Sequence, residues 1–416
     1  MQTEAEAFLQ RIRAYPDDDA QRLIFADWLD EEGDPRGRFI RVQLALAHVP
    51  ETDRARPALL AEERQLLAAH RDTWEAPFRG LVSGPVFRRG FVDEVKVEAK
   101  QFLRHAHEIF TAAPVRHVHL LDVGGSLPVV MQCPYLSRLA ALTVYAQHAG
   151  EALARAVARS PHLGALRSLQ LGRNRLDDDA VEHLATAPAL AALEELDLSE
   201  NDIGETGARA LAGSPHLAHL KRLELRENRL GPAGAGVLAG AERLPALRTL
   251  GLSDNDIGSA RLLSLARASD LLRVPVLDLA LNGLTYTGLQ ALFSRAPTSD
   301  PVAVRLEELH LGSNTLDDAG AAVLAHCPHL ANLTVLTLPS CNIGDEGVRA
   351  LAHSPHLNRV HLLDLSNNPS GDTGFRALHD SPHWRALRRL VYSPLSVSPK
   401  MREGLDQKYN RPPRRG

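Results

Sequence analysis

LRSLQLGRN (Leu166–Asn174), LEELDLSEN (Leu193–Asn201), LKRLELREN (Leu220–Asn228) and LRTLGLSDN (Leu247–Asn255) are one pattern written four times. Leucines stand at the first, fourth and sixth places and an asparagine closes each run. The pattern continues, with small changes, at Val274–Asn282, Leu306–Asn314, Leu333–Cys341 and Val360–Asn368. Closing positions step by 27 residues, except between 282 and 314, where the step is 32. The long step predicts a five-residue insertion near Ala296–Pro301, away from the short strand. Alternating leucines describe a strand that buries one face.

The second half of each unit is as regular. Ten residues past each marker stands Leu184, Leu211, Leu238, Leu265, Leu292, Leu324, Leu351 or Leu378. Four residues before that leucine stands Ala180, Gly207, Gly234, Gly288, Gly320, Gly347 or Gly374, with Arg261 the exception. Residues at i and i+4 share a helix face. The small residue is expected to let the helix approach the strand layer, while the leucine fills the core. Ser-Pro-His or Cys-Pro-His then ends the helix, since proline cannot continue it. A unit of strand, turn and short helix cannot bury its apolar face alone. The expected fold is therefore an α/β solenoid, a horseshoe of stacked units with parallel strands concave and helices convex.

The closing column, Asn174, Asn201, Asn228, Asn255, Asn282, Asn314, Cys341 and Asn368, has a structural reading. A sharp turn after each strand leaves backbone groups facing inward. A buried amide can donate to and accept from them, forming a ladder between turns. Cys341 is small and weakly polar enough to stand in.

Weaker units flank the strong ones: Val92–Val97, Val118–Val123 and Leu139–Val144 before, Leu387–Tyr392 after. About twelve strands are expected, the outer ones degenerate, as capping units are. From Val123 to Val144 the step is only 21, too short for a full helical return, so that part should be irregular. Ahead of the array, Asp17–Asp19 cap a helix carrying Leu23, Ile24, Phe25, Trp28 and Leu29, with Trp28 read as core. Gly33, Asp34 and Pro35 break it, and Phe39, Ile40, Val42 and Leu44 begin another. The divisions read from this are a helical module over 1–48, a helical connector and cap over 49–85, the array over 86–396, and a cap helix with basic tail over 397–416.

Composition narrows the classes. The 416 residues carry a net charge of −4, with 24% charged and 44% hydrophobic, which suits a folded chain and gives no pull toward nucleic acid. No apolar run reaches about 18 residues, and the acidic start MQTEAEAFLQ lacks the basic and apolar parts of a secretory signal. Cys133, Cys327 and Cys341 are few, scattered and odd in number, which suits a reducing cytoplasm. Abundant Arg, Ala, Leu and Pro point to GC-rich coding and a bacterium.

These motifs resemble the ribonuclease-inhibitor-like class of leucine-rich repeats, over roughly residues 86–396. The resemblance implies helices on the convex side. LIFADWLDEEGDPRGRFIRVQLAL (Leu23–Leu46) resembles the short repeat-companion domain that precedes such arrays in bacterial families, and RRGFVDEVKV (Arg88–Val97) resembles the strand that opens them. Arg38 departs from that pattern, where an acidic residue is usual. The companion resemblance implies kinship and no activity.

Histidines 162, 216, 329, 356 and 383 recur in the Pro-His motif, one per repeat and without carboxylate or cysteine at ligand spacing, so no metal site is expected. Nucleotide-binding, zinc-protease and nucleophile-elbow motifs are absent, and Asp177–Asp179 and Asp30–Asp34 lack calcium-loop spacing. No cofactor and no enzyme activity are expected. What remains is the strand face, where residues between the leucines project outward. Candidate binding residues are Glu194, Glu195, Asp197, Glu200, Arg222, Glu224, Arg226, Glu227, Asp278 and His310. Acidic groups dominate, so the expected partner is a protein with a basic surface, with neither nucleic acid nor membrane. Tyr145 and Tyr392 are the main aromatic anchors on this reading. The alternative function is a GTPase-activating helper, in which Arg173, Arg222 or Arg226 would contact phosphate.

Overall fold

The structure, a computed structural model, describes residues 4–51, 53–239, 241–259, 268–294 and 306–410. It separates into two compact units, Met1–Leu171 and Gly172–Gly416.

The first unit opens with helices α1 (Glu4–Ala14), α2 (Asp19–Glu31), α3 (Arg36–His48) and α4 (Arg56–Glu75). Asp18 caps α2 by accepting from the Ala20 N–H at 2.9 Å. Phe25, Ala26 and Leu29 form its buried stripe, while Leu23 and Ile24 turn outward at 42% and 47% exposure. The stripe is thus narrower than the apolar run suggests, because Arg22 occupies part of it and donates to the Pro16 carbonyl at 2.7 Å. Trp28 is half-buried between Phe8 and Phe25. Behind α3, Phe39 stacks on Trp74 at 4.6 Å and meets Phe87 edge-on at 5.7 Å.

Strands β1 (Ser83–Arg88) and β2 (Phe91–Glu98) form an antiparallel hairpin. Its two turn residues, Arg89 and Gly90, both take positive φ, 52° and 89°, which matches the twist of a tight hairpin. A Cβ on Gly90 would lie 2.2 Å from Ile40, so the turn lies directly on α3, and Gln43 accepts the Gly90 N–H at 2.7 Å. The hairpin adds a strand to the count expected from the leucine pattern. Gly84 and Pro85 hide it in the sequence, and edge strands tolerate such residues. After α5 (Ala99–Ala112) come β3 (His117–Leu121), the single turn α6 (Leu127–Val130), β4 (Ala141–Thr143), α7 (Gly150–Ala158) and β5 (Ser168–Gln170). Strands β2 to β5 are parallel and sequential. The 21-residue step is spanned by α6 and two 3-10 turns, Gly124–Ser126 and Pro134–Arg138, the irregular arc expected.

The second unit is the regular one. Its elements are α8 (Asp178–Ala185), β6 (Glu195–Asp197), α9 (Glu205–Ala212), β7 (Arg222–Glu224), α10 (Gly231–Ala239), β8 (Thr249–Gly251) and β9 (Val276–Asp278). They continue with α11 (Tyr286–Ser294), β10 (Glu308–His310), α12 (Asp317–Ala325), β11 (Val335–Thr337), α13 (Asp345–Ala352), β12 (Leu362–Asp364), α14 (Asp372–Asp380), β13 (Arg389–Val391) and α15 (Pro399–Tyr409). Strands β6 to β13 pair in sequence, parallel and in register. Their central leucines, from Leu196 to Leu390, are at most 2% exposed. The insertion at Ala296–Pro301, Arg261, Leu265 and the basic tail from 411 lie outside the described residues.

Two expectations change here. In α9, α13 and α14 the small residue faces the neighbouring helix and not the strand layer. A Cβ on Gly207 would stand 2.7 Å from Asp178 Oδ1, and on Gly347 2.6 Å from Asp318 Oδ1. Each aspartate accepts the first amides of the next helix: Asp178 from Gly204 and Gly207 at 2.7 and 2.9 Å, Asp318 from Gly344 and Gly347 at the same distances. One carboxylate thus caps the positive end of the following helix, and glycine makes room for it. Tyr392 is no exposed anchor: it is 8% exposed, packs on Phe375, and donates to Asp406 at 2.9 Å.

Candidate functional site

The turns after the strands hold the side chains of the sheet face in place. The residue before each marker is left-handed: Arg173, Glu200, Glu227, Asp254, Leu281, Ser313, Ser340 and Asn367 have φ between 54° and 58°. The chain therefore reverses abruptly and points its peptide groups inward. The seven marker asparagines are at most 8% exposed. Asn228 accepts the Ile203 N–H at 3.0 Å and donates to the carbonyls of Leu198 and Leu225 at 3.0 and 2.9 Å. Asn201 likewise accepts the amides of Asn174 and Leu176, and Asn314 those of Asn282 and Leu284. Cys341 donates through Sγ to the Leu311 carbonyl at 3.2 Å, and burial pushes its thiol up to about 11.

On the face beside these turns the candidate residues fall into pairs. Glu194 meets Lys221 at 2.8 Å, and Arg222 meets Glu224 at 2.8 Å. Arg226 lies 3.4 Å from Glu200 and 3.2 Å from Glu227, and Arg173 lies 3.7 Å from Glu200. Glu195 is exposed. His310 shares a hydrogen bond with Thr337 at 2.9 Å and sits 3.7 Å from Glu308. Register places Asp197 beside Glu224, Glu224 beside Gly251, and Gly251 beside Asp278. A Cβ on Gly251 would stand 1.8 Å from Glu224 Oε2, so the Glu224 carboxylate lies across the bare glycine toward β9. Burial pushes the Glu224 carboxyl above its ordinary value; Arg222 opposes the rise, and the neighbouring charges of Asp197 and Asp278 add to it. Asp197 and Asp278 also hold their own turns, accepting the Ser199 and Ala280 amides at 2.9 Å.

The Pro-His column has a local explanation. Ser160, Ser214, Ser354 and Ser381 each donate to a carbonyl of the preceding unit and accept the N–H of the histidine two residues on. The serine ties the helix end down, and the histidine sits beyond it.

The first unit brings together a trio that the sequence reading passed over. Register sets Glu94 of β2 opposite His117 of β3, and His119 is two residues along. Glu94 Oε1 is 2.7 Å from His119 Nε2, Glu94 Oε2 is 3.4 Å from His117 Nδ1, and the imidazoles stack at 4.2 Å. One ligand atom from each lies within 4.8 Å of the others. Burial, helped by the nearby His119, depresses His117 to about 4, so its ring is neutral at neutral pH. Burial raises the Glu94 carboxyl, but hydrogen bonds from His119 and Arg88 outweigh it and leave the carboxyl below its ordinary value. The legible signal was His-x-His on a strand, which sets both rings on one face.

Segments 192–212, 216–239, 276–293, 306–325 and 329–352 match the family model described as Leucine Rich repeat. These segments are leucine-rich repeats. Among curated proteins none matches the chain. Similar solved structures include an internalin (inlF) from Listeria monocytogenes, 18% identical over 67% of this chain and 68% of that one, with a TM-score of 0.43. A yeast Rad7 and Elc1 complex gives 16% identity over 90% and 92%, with a TM-score of 0.49. A TLR13–ssRNA13 complex gives 18% over 69% and 37%, with a TM-score of 0.39. Among the described residues no helix is long and apolar enough to cross a membrane.

Proposed function

We propose that this leucine-rich-repeat protein is a non-catalytic binding scaffold, presenting the sheet face of its Gly172–Gly416 unit to a protein with a basic surface. The observation that carries this reading is the acidic row of Asp197, Glu224 and Asp278, in register on β6, β7 and β9, with Gly251 leaving space between. Adjacent strands lie about 4.8 Å apart, so the charges of neighbouring rows add within a Debye length of about 8 Å. Glu194, Glu195, Asp197, Glu200, Glu224 and Glu227 outnumber Arg173, Lys221, Arg222 and Arg226 there, so the patch carries a net negative charge. The carboxylates of Asp197, Glu224 and Asp278 attract a docking cation, which favours a basic partner mainly through on-rate and specificity. The arginine-based GTPase-activating alternative draws no support, since Arg173, Arg222 and Arg226 are all engaged by carboxylates.

We further assign the array to the ribonuclease-inhibitor-like class, because its repeats carry true helices of eight or nine residues, and read the module over 1–48, which carries α1, α2 and α3, as the companion domain. A cytoplasmic home is inferred from three unpaired cysteines, two of them buried. The test is site-specific photocrosslinking in the native host, with the photoreactive residue at Glu195 or Arg222 on the sheet face, or at Glu182 or Glu205 on the helices. One protein is expected to crosslink from the sheet face and to lose affinity at least tenfold when Asp197, Glu200, Glu224 and Glu227 become Lys. Crosslinking only from the helices, with charge reversal on the sheet face harmless, would overturn the reading.

A further inference from the structure

We propose that Glu94, His117 and His119 form a binding site for one divalent transition-metal ion of the zinc class. Two imidazoles and one carboxylate, borne on neighbouring strands, are a donor set that borderline metals such as zinc prefer. The backbone builds the arrangement: side chains two apart on β3 share a face, and register brings Glu94 of β2 opposite the first of them. All three side chains are 14% to 20% exposed, so they are held in place yet open to solvent. With three protein ligands, one coordination position stays free for water or for a group on a partner.

The surroundings orient the ligands. His117 Nε2 lies 2.8 Å from Thr143 Oγ1, which donates onward to Gln170 Oε1 at 3.2 Å. Since the Thr143 proton is spent on Gln170, its oxygen accepts from His117, whose Nε2 therefore carries the hydrogen. His117 Nδ1 is then a bare lone pair aimed at Glu94 Oε2, 3.4 Å away. Two acceptors facing one another at that distance repel unless a cation lies between them. A hydrogen bond to the far nitrogen of a ligating histidine is also the usual way its tautomer and ring angle are set. On the other side His119 Nε2 gives its proton to Glu94 Oε1, and the metal takes the place of that proton. Arg88 opposes the ion, lying 2.9 Å from Glu94, but its side chain is 60% exposed and can swing away.

The experiment uses the full chain stripped with chelator, titrated with Zn²⁺ by calorimetry and with Co²⁺ by visible absorption. One equivalent of each is expected, with cobalt bands of a low-coordinate nitrogen and oxygen site and a rise in melting temperature with Zn²⁺. His119→Ala and Glu94→Gln are expected to weaken binding at least tenfold. Thr143→Val removes no ligand, only the support of His117, and is expected to weaken binding about tenfold. Arg88→Ala is expected to tighten it severalfold by removing the competing cation. Failure of the wild-type chain to take up an equivalent, or uptake undiminished in His119→Ala, would overturn the proposal. So would Thr143→Val and Arg88→Ala variants that both bind as the wild type does.

Discussion

The two units solve the same problem differently. In Gly172–Gly416 the turns closed by Asn174, Asn201, Asn228, Asn255, Asn282 and Cys341 hand amides to a buried asparagine of the next repeat, so like bonds recur at the repeat interval of 27 residues, or 32 across the insertion. In Met1–Leu171 the strands β3 and β4 end without an asparagine marker, and their neighbours are fixed by other means. There Phe39, Trp74 and Phe87 cluster behind the hairpin while Phe91 stacks on Phe25, and across the open face Glu94 bonds to His119 and His117 bonds through Thr143 to Gln170. Periodic backbone capture leaves the outward face of the second unit free to vary. Where capture is missing, the face itself carries a polar network. A repeat that stabilises its own turns can expose arbitrary charge, and one that does not must spend surface residues on cohesion.

The largest expected effect tests the aromatic half of that contrast. Phe39→Ala leaves a void between Trp74 and Phe87 and should cost roughly 3–5 kcal/mol. Amide hydrogen exchange should show protection lost within residues 4–171, with the repeats around Asn228 unchanged. Equal loss in both would erase the distinction. Next is Gly347→Ala, whose new methyl would strike Asp318 Oδ1 and Ile343, costing roughly 1–3 kcal/mol by chemical denaturation. Asn228→Leu should cost a similar 1–3 kcal/mol, because the Ile203 amide and the Leu198 and Leu225 carbonyls lose their partner. An unchanged denaturation midpoint would remove the ladder from the account.

Smaller effects sharpen the comparison. Leu281 holds φ 57° at a turn with its side chain 52% exposed, a conformation that disfavours leucine. Leu281→Gly should stabilise by a few tenths to about 1 kcal/mol, since relief of the left-handed strain exceeds the added freedom of the unfolded chain. A loss of stability would mean that the leucine makes contacts outweighing its strain. Least of all, Cys341→Asn should leave the melting temperature within a few degrees of the wild type. Burial pushes the thiols of Cys327 and Cys341 up to about 11, so both should resist alkylation near pH 8 and react only as pH rises toward that value. Half-buried Cys133 should react first.

Much of this fold was legible from local spacing. An alternation of leucines dictates a strand, and a small residue four places before a leucine dictates a helix face. Repetition then forces neighbours to stack, because no single unit can bury its apolar side. The acidic row was legible for the same reason, since register follows from the repeat length. Other features depended on atoms from different units. The sequence marked the glycine column as small but not why: Asp178 and Asp318 reach it from the preceding repeat, a contact that no single unit contains. Tyr392 looks like a surface aromatic until α15 folds back and Asp406 takes its hydroxyl. Glu94 stands 23 residues from His117, a spacing that belongs to no ligand motif. Only strand pairing turns that interval into a distance of 3.4 Å. Periodicity records which side of the chain faces inward. What stands beside it across the sheet is decided by register, bulges and turns, which act through space.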